Sequence, residues 1–419
     1  PPTEKGKYRA IASGAIANGK PVVVNSAGTV SAIDGSAQAV GTAVVYETSE
    51  SRHNKATFDS NSNRVVIVYR DQGNSSYGTA VVGTVSGTSI SFGTPVVFES
   101  ANCQVIGPTF DSSNNKVVIA YVDNGNSGYE TCIVGTVDPS DNSISFGTPA
   151  VYYSASGSSL NTITFDSSNN KVVVAYRVSS TRGEARVGTV SGTDITFGTA
   201  ATIISNSVTF FGSTFDTNSN KVVIVFLNYS SGDDGTAIVG TVSGTDITFG
   251  TPVEYSNDGQ SNWNSVAFDS SNNKVIVSFS DGDDGDKGKA VVGTVSGTDI
   301  SFGSIATYND AATLYPVVVF DSSTGNPVVV YQDAGGSNYG RFAVGTVSGT
   351  DITFASEVVF EEAAVLNVGA TFDSTNNRVV AVFEDDANSD YGTAVVVATG
   401  KPTNLTTENY IGIANSCSF

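Results

Sequence analysis

The dipeptide Phe-Asp recurs seven times along this chain, at Phe58-Asp59, Phe110-Asp111, Phe165-Asp166, Phe215-Asp216, Phe268-Asp269, Phe320-Asp321 and Phe372-Asp373. The interval stays close to about fifty residues, which marks one supersecondary unit copied along the chain. Each copy leaves an apolar face that only its neighbour can cover, so the copies must stack into one continuous architecture. A 419-residue chain otherwise has room for two or three unrelated domains. The repeat excludes them.

The second copy shows how one unit reads. A first strand ends at Pro108-Thr109-Phe110-Asp111, the polar run Ser112-Ser113-Asn114-Asn115 makes a tight turn, and Lys116 to Tyr121 forms the second strand. The third strand spans Glu130 to Val137, and the fourth passes through Ser143-Ile144-Ser145-Phe146 to Tyr152. No segment shows helical periodicity. The second strands (Val65 to Tyr69, Val172 to Tyr176, Val222 to Phe226) are apolar without alternation. Such strands need cover on both faces, which sheets packed side by side around an axis provide. The expected fold is therefore all-β, a seven-bladed β-propeller of four-stranded blades.

The ends of the chain complete the ring. The seventh unit runs out at Thr393 to Gly400 with no fourth strand of the usual type, whereas Gly41-Thr42-Ala43-Val44-Val45-Tyr46-Glu47 matches the fourth strand Gly93 to Glu99 and precedes the first Phe-Asp. The opening strand should therefore close the last blade and remove its free edge. This gives a propeller over 39–400, with 1–38 and 401–419 joining as a small β-rich attachment module.

Composition narrows the partners. Twenty Lys plus Arg against forty Asp plus Glu leave a net charge of −20, which repels nucleic acid and anionic membranes. No apolar run is long enough to span a bilayer, and the first residues lack the apolar core of a secretion signal. Cys103, Cys132 and Cys417 make no CxxC pair and are expected as free thiols, Cys103 and Cys132 being the two that fall in one repeat and could pair. One His and no Ser/His/Asp arrangement leave little for zinc or nucleophilic catalysis. The chain reads as non-enzymatic.

The unit written Phe-Asp-Ser-Ser-Asn-Asn-Lys-Val-Val-Ile-Ala-Tyr at 110–121, with Val-Gly-Thr-Val-Ser-Gly-Thr-Asp-Ile-Thr-Phe-Gly-Thr-Pro at 239–252, resembles repeats in large virion or tail-fibre-like proteins of marine bacteriophages. The flanks, Ala12 to Gly19 and Leu405 to Ala414, are similar to small β-modules of the same proteins. This resemblance implies an extracellular or virion-surface structural or adhesion protein. Its flanks would then join other subunits, in a homo-oligomer or a larger assembly.

Between units, the fourth-to-first and second-to-third connections vary while the other turns repeat, and in a propeller the two variable sets open on one face. From the first set, Arg52, His53, Phe210, Phe211, Asn262, Trp263, Asn264 and Tyr315 are candidate ligand contacts, because aromatic faces meet the CH faces of sugars. The competing reading packs Phe210, Phe211 and Tyr315 between blades. From the second set, Tyr77, Tyr129, Tyr339 and Tyr391 recur at matching positions and read as structural. Asp281, Asp283, Asp284 and Asp286 form an acid-rich loop that suits calcium by composition, though its spacing fits no EF-hand. Each Asp of a Phe-Asp pair reads as an Asx-turn anchor. A glycan- or receptor-binding face is the leading expectation. The alternatives are a filament subunit and a propeller glycoside hydrolase or lyase, the last needing two carboxylates near the axis.

Overall fold

The computed structural model describes residues 11–13, 16, 21–24, 28–32, 37–155, 161–178, 181–256, 259–400 and 410–413. Over them the chain is all-β, broken only by turns and short 3₁₀ segments. It divides into a large compact unit, Val40–Val397, and a small one contributed by the two ends. In the small unit Pro21–Val24 pairs antiparallel with Val30–Ala32 on one side and Tyr410–Ile413 on the other, over an apolar cluster of Ile16, Val22 and Val30.

Among the described residues, the large unit contains seven four-stranded antiparallel sheets. In the second, Lys116–Asp123 pairs with residues 103–111 on its inner side and with Tyr129–Asp138 on its outer side. The fourth strand is split, with Ser143–Phe146 and Ala150–Tyr153 pairing in succession along the same partner, hinged at Gly147. In four of the seven junctions that fourth strand continues without a loop into the next sheet, giving the long strands Val44–Asp59, Val96–Asp111, Ala306–Asp321 and Val358–Asp373. The varying fourth-to-first connections expected as loops are, at these four places, strand.

The innermost strands touch one another in chain order, and the last of them touches the first. Seven apolar clusters fill the spaces between consecutive sheets, one of them joining the seventh sheet to the first through Tyr46, Val65, Ile67, Tyr69, Val380, Val382, Ala394 and Val396. Residues of one strand go alternately to the two sides: Val66 and Val68 face the second sheet, while Val65, Ile67 and Tyr69 face the seventh. That is why these strands show no polar alternation. The opening strand closes the ring as its sequence requires, with Val44, Val45 and Glu47 set opposite Ala394, Thr393 and Gly392.

Two repeated devices fix the blades. Each Asp of a Phe-Asp pair is buried and accepts two backbone amides of the following turn, as Asp59 does from Asn61 and Ser62 at 2.9 and 3.0 Å. The second device is the glycine at the hinge of the fourth strand. A Cβ on Gly250 would lie 2.0 Å from the carbonyl oxygen of Thr298, in the third-to-fourth turn of the next blade, and Gly41, Gly93, Gly147, Gly198 and Gly303 meet equivalent carbonyls. Ala355 takes this place in the sixth blade, whose neighbour, the seventh, is the blade without that turn.

Candidate functional site

Alignment on Phe-Asp places His53, Phe210, Trp263, Tyr315 and Asn367 at one equivalent position, five residues before the Phe. All five have positive φ, between 49° and 56°. Each sits in a β-bulge where pairing with the second strand slips, as between Asn262 and Ser265. They therefore lie inside the innermost strands and not in loops, which corrects the reading from sequence. Because those strands encircle the axis, equivalent positions on them form a ring around its mouth. All five side chains are half-buried.

Phe210, Trp263 and Tyr315 stand on three successive blades and touch across the boundaries. The Phe210–Trp263 centroids are 5.0 Å apart and the Trp263–Tyr315 centroids 4.5 Å, with tilted planes. On the next blade Asn367 donates to Glu384 Oε2 at 2.6 Å. On the first blade Arg52 pairs with Glu50 at 2.5 Å, and Lys55 reaches the carbonyl of Val368 on the seventh blade at 3.4 Å. Among the described residues, the mouth thus has an aromatic side on blades four to six and a charged side on blades seven and one, with Arg177 on blade three at the position equivalent to Arg70.

The charged groups act on one another. His53 is pulled down to about 4, mainly by burial and then by Arg70, Lys55 and Arg52. Burial lowers Lys55 to about 8. Glu384 is pushed up to about 7 by burial, against the stabilising Asn367 bond, with Asp390 raising it further and Arg52 opposing. The Tyr315 phenol is raised first by burial and then by Glu384, with Arg52 opposing, which ties the aromatic half to the charged one.

The other candidates are placed elsewhere. Phe211 packs on Phe226 and the core between the third and fourth blades, so it is a core residue. Asn264 is buried, accepting from Tyr255 Oη at 2.7 Å and Ser261 Oγ at 2.6 Å and donating to Ser261 O, so its side chain clamps the bulge and is not offered to a ligand. Asn54 does the same on the first blade, accepting from Tyr46 Oη at 2.8 Å. Asn262 is half-buried beside Gln260.

In the acid-rich loop, Asp281 accepts the amides of Asp283 and Asp284 and pairs with Lys289, which also holds Asp284. A calcium ion at Asp281, Asp283, Asp284 and Asp286 would have to displace that lysine. Among the described residues no group of three or more His, Cys, Asp or Glu side chains is placed to hold a metal ion. Tyr77, Tyr129, Tyr339 and Tyr391 are half-buried at strand starts. Cys103 and Cys132 are buried free thiols on opposite sides of one sheet, and Cys417 lies outside the described residues.

Sequence reasoning missed Lys55, Arg70, Asn367 and Glu384. Arg70 and Glu384 hold the equivalent position after the last aromatic of the second strand, where a charge on an apolar strand was the available signal.

No protein-family model matches the sequence, and no curated protein matches it. Solved structures do match in fold. The chain is similar to the BP39L lectin from Burkholderia pseudomallei, at 13% identity and a TM-score of 0.63, covering 88% of this chain and 100% of the lectin. It is also similar to a chain of the mitotic checkpoint complex, at 8% identity and a TM-score of 0.53, covering 85% and 94%. At these identities the likeness speaks to the β-propeller fold, and neither structure bears on the phage-fibre resemblance.

Proposed function

We propose that this protein is a non-enzymatic, carbohydrate-binding propeller that holds a sugar at the axial mouth against Phe210, Trp263 and Tyr315. The carrying observation is their backbone conformation. The bulge demands a left-handed residue, a state that costs an ordinary side chain about 1 kcal/mol and that asparagine tolerates best after glycine. Asn367 fills it on the seventh blade at little cost. Bulky aromatics fill it on three successive blades, where they line a shared, half-open surface. Rings presented there suit the CH faces of pyranosides. The lectin whose fold the chain shares supports this use of the scaffold.

The setting that fits is extracellular, including a virion surface, with the terminal unit attaching the propeller to neighbouring subunits. The test is a glycan array with the native protein and Trp263→Asn. Binding by the native protein and its loss in the variant supports the reading. No binding by the native protein leaves the propeller as decoration or as a filament subunit.

A further inference from the structure

If the mouth binds a sugar, its charged half names the class. Among the described residues, the innermost strands carry basic side chains on the first blade alone, at Arg52, His53 and Lys55. The register places Arg70 directly opposite Arg52 on the second strand. Arg70 Nε is buried without a hydrogen-bond partner, and Lys55 is held by a single long bond to a backbone carbonyl. A buried guanidinium nitrogen left unpaired is costly, and an oxyanion is its natural complement.

The acids facing this cluster are Glu50, Glu384 and Asp390. Glu50 is spent on Arg52. Glu384 is taken by Asn367 and, pushed up to about 7, is largely uncharged below neutrality. Asp390 is also raised, first by burial and then by Asp386 and Glu50. Lys55, at about 8, keeps its proton at neutral pH.

Arg70 and Lys55, the two cations here without a carboxylate partner, lie within a chain of net charge −20. The long-range field disfavours polyanions, while half-buried cations act strongly at contact distance on one charge.

We propose that the mouth selects a sugar bearing a single carboxylate, its ring on Phe210, Trp263 and Tyr315 and its carboxylate toward Lys55 and Arg70. The proposal rests on the sugar-binding reading and goes beyond it. Sulfated or polyuronate chains are disfavoured by the overall field.

The test uses the full chain against oligosaccharides ending in one uronic acid and against their methyl esters, which share every ring and linkage. The acids should bind about tenfold more tightly than the esters, equivalent to about 1.4 kcal/mol. In Arg70→Gln and in Lys55→Gln that ratio should fall toward one. His53, the single histidine, gives an independent readout by NMR. Its titration midpoint near 4 should rise on adding the acid and stay in place with the ester.

Equal binding of acid and ester overturns this inference and leaves sugar binding standing. An acid preference that survives both variants, with His53 unmoved, also overturns it, since the carboxylate would then lie elsewhere. Binding of neither, with no glycan bound on an array, removes the sugar reading itself.

Discussion

Trp263 stands between Phe210 and Tyr315, its ring centroid 5.0 Å from one and 4.5 Å from the other, although the three residues come from three different blades. Its backbone is left-handed, at φ 55°. Asparagine suits that backbone better than tryptophan, so Trp263→Asn should leave stability within about 1 kcal/mol of the native protein while lowering sugar affinity at least tenfold. Urea unfolding beside a binding titration separates the two. A loss above about 3 kcal/mol, the scale of a deleted core aromatic, would make the ring a packing element.

Asn264 makes the opposite case. Its Oδ1 takes both Tyr255 Oη and Ser261 Oγ in a buried position. Asn264→Ala removes their shared acceptor, leaving the two hydroxyls only each other at 3.3 Å, and should cost about 2 kcal/mol. Asn54→Ala, which orphans Tyr46, should cost a similar amount at the junction that closes the ring. Denaturant midpoints check both.

The hinge glycines predict an asymmetry. Gly250→Ala places a methyl 2.0 Å from the carbonyl of Thr298 and should cost about 2 kcal/mol through displacement of the next blade. Ala355→Gly should change stability by less than about 1 kcal/mol, because the seventh blade carries no turn to meet. Equal effects in calorimetry would contradict the interlock.

The mouth also sets a pH dependence. Glu384 sits near 7 in the fold against an ordinary 4.5, so between about 4.5 and 7 the native state binds more protons than the unfolded state. Stability from this group falls as pH rises through that window. His53, lowered from 6.5 to about 4, works the other way, and its contribution rises with pH between those values. Glu384→Gln removes the falling limb and should gain on the native protein by about 1 to 2 kcal/mol above pH 7, solvent screening taking up part of the shift. Unfolding curves at pH 5, 6 and 8 test this; parallel profiles for variant and native protein would refute it.

Much of the fold is legible in the residues. Phe-Asp marks the period, unbroken apolar runs demand two-sided cover, and the mismatch between Thr393 to Gly400 and the other third strands, answered by Gly41 to Glu47, foretells the closure. The Asp turns read correctly because an Asx turn is local. The site was harder. Phenylalanine, tryptophan and tyrosine carry no signal for a left-handed bulge and histidine only a weak one, so His53, Phe210, Trp263 and Tyr315 looked like loop residues. Asn367, at the same position, is the clearest hint of it. Asn264 and Phe211 have site-like chemistry and core positions, a difference that depends on neighbouring strands and blades.

Trp263 is the single tryptophan in the chain, so its fluorescence reports on this site alone. Titration with a glycan whose binding is established by calorimetry should shift or quench the emission, saturating at the calorimetric stoichiometry. Full binding with unchanged emission would place the ligand away from the axial mouth and contradict the account.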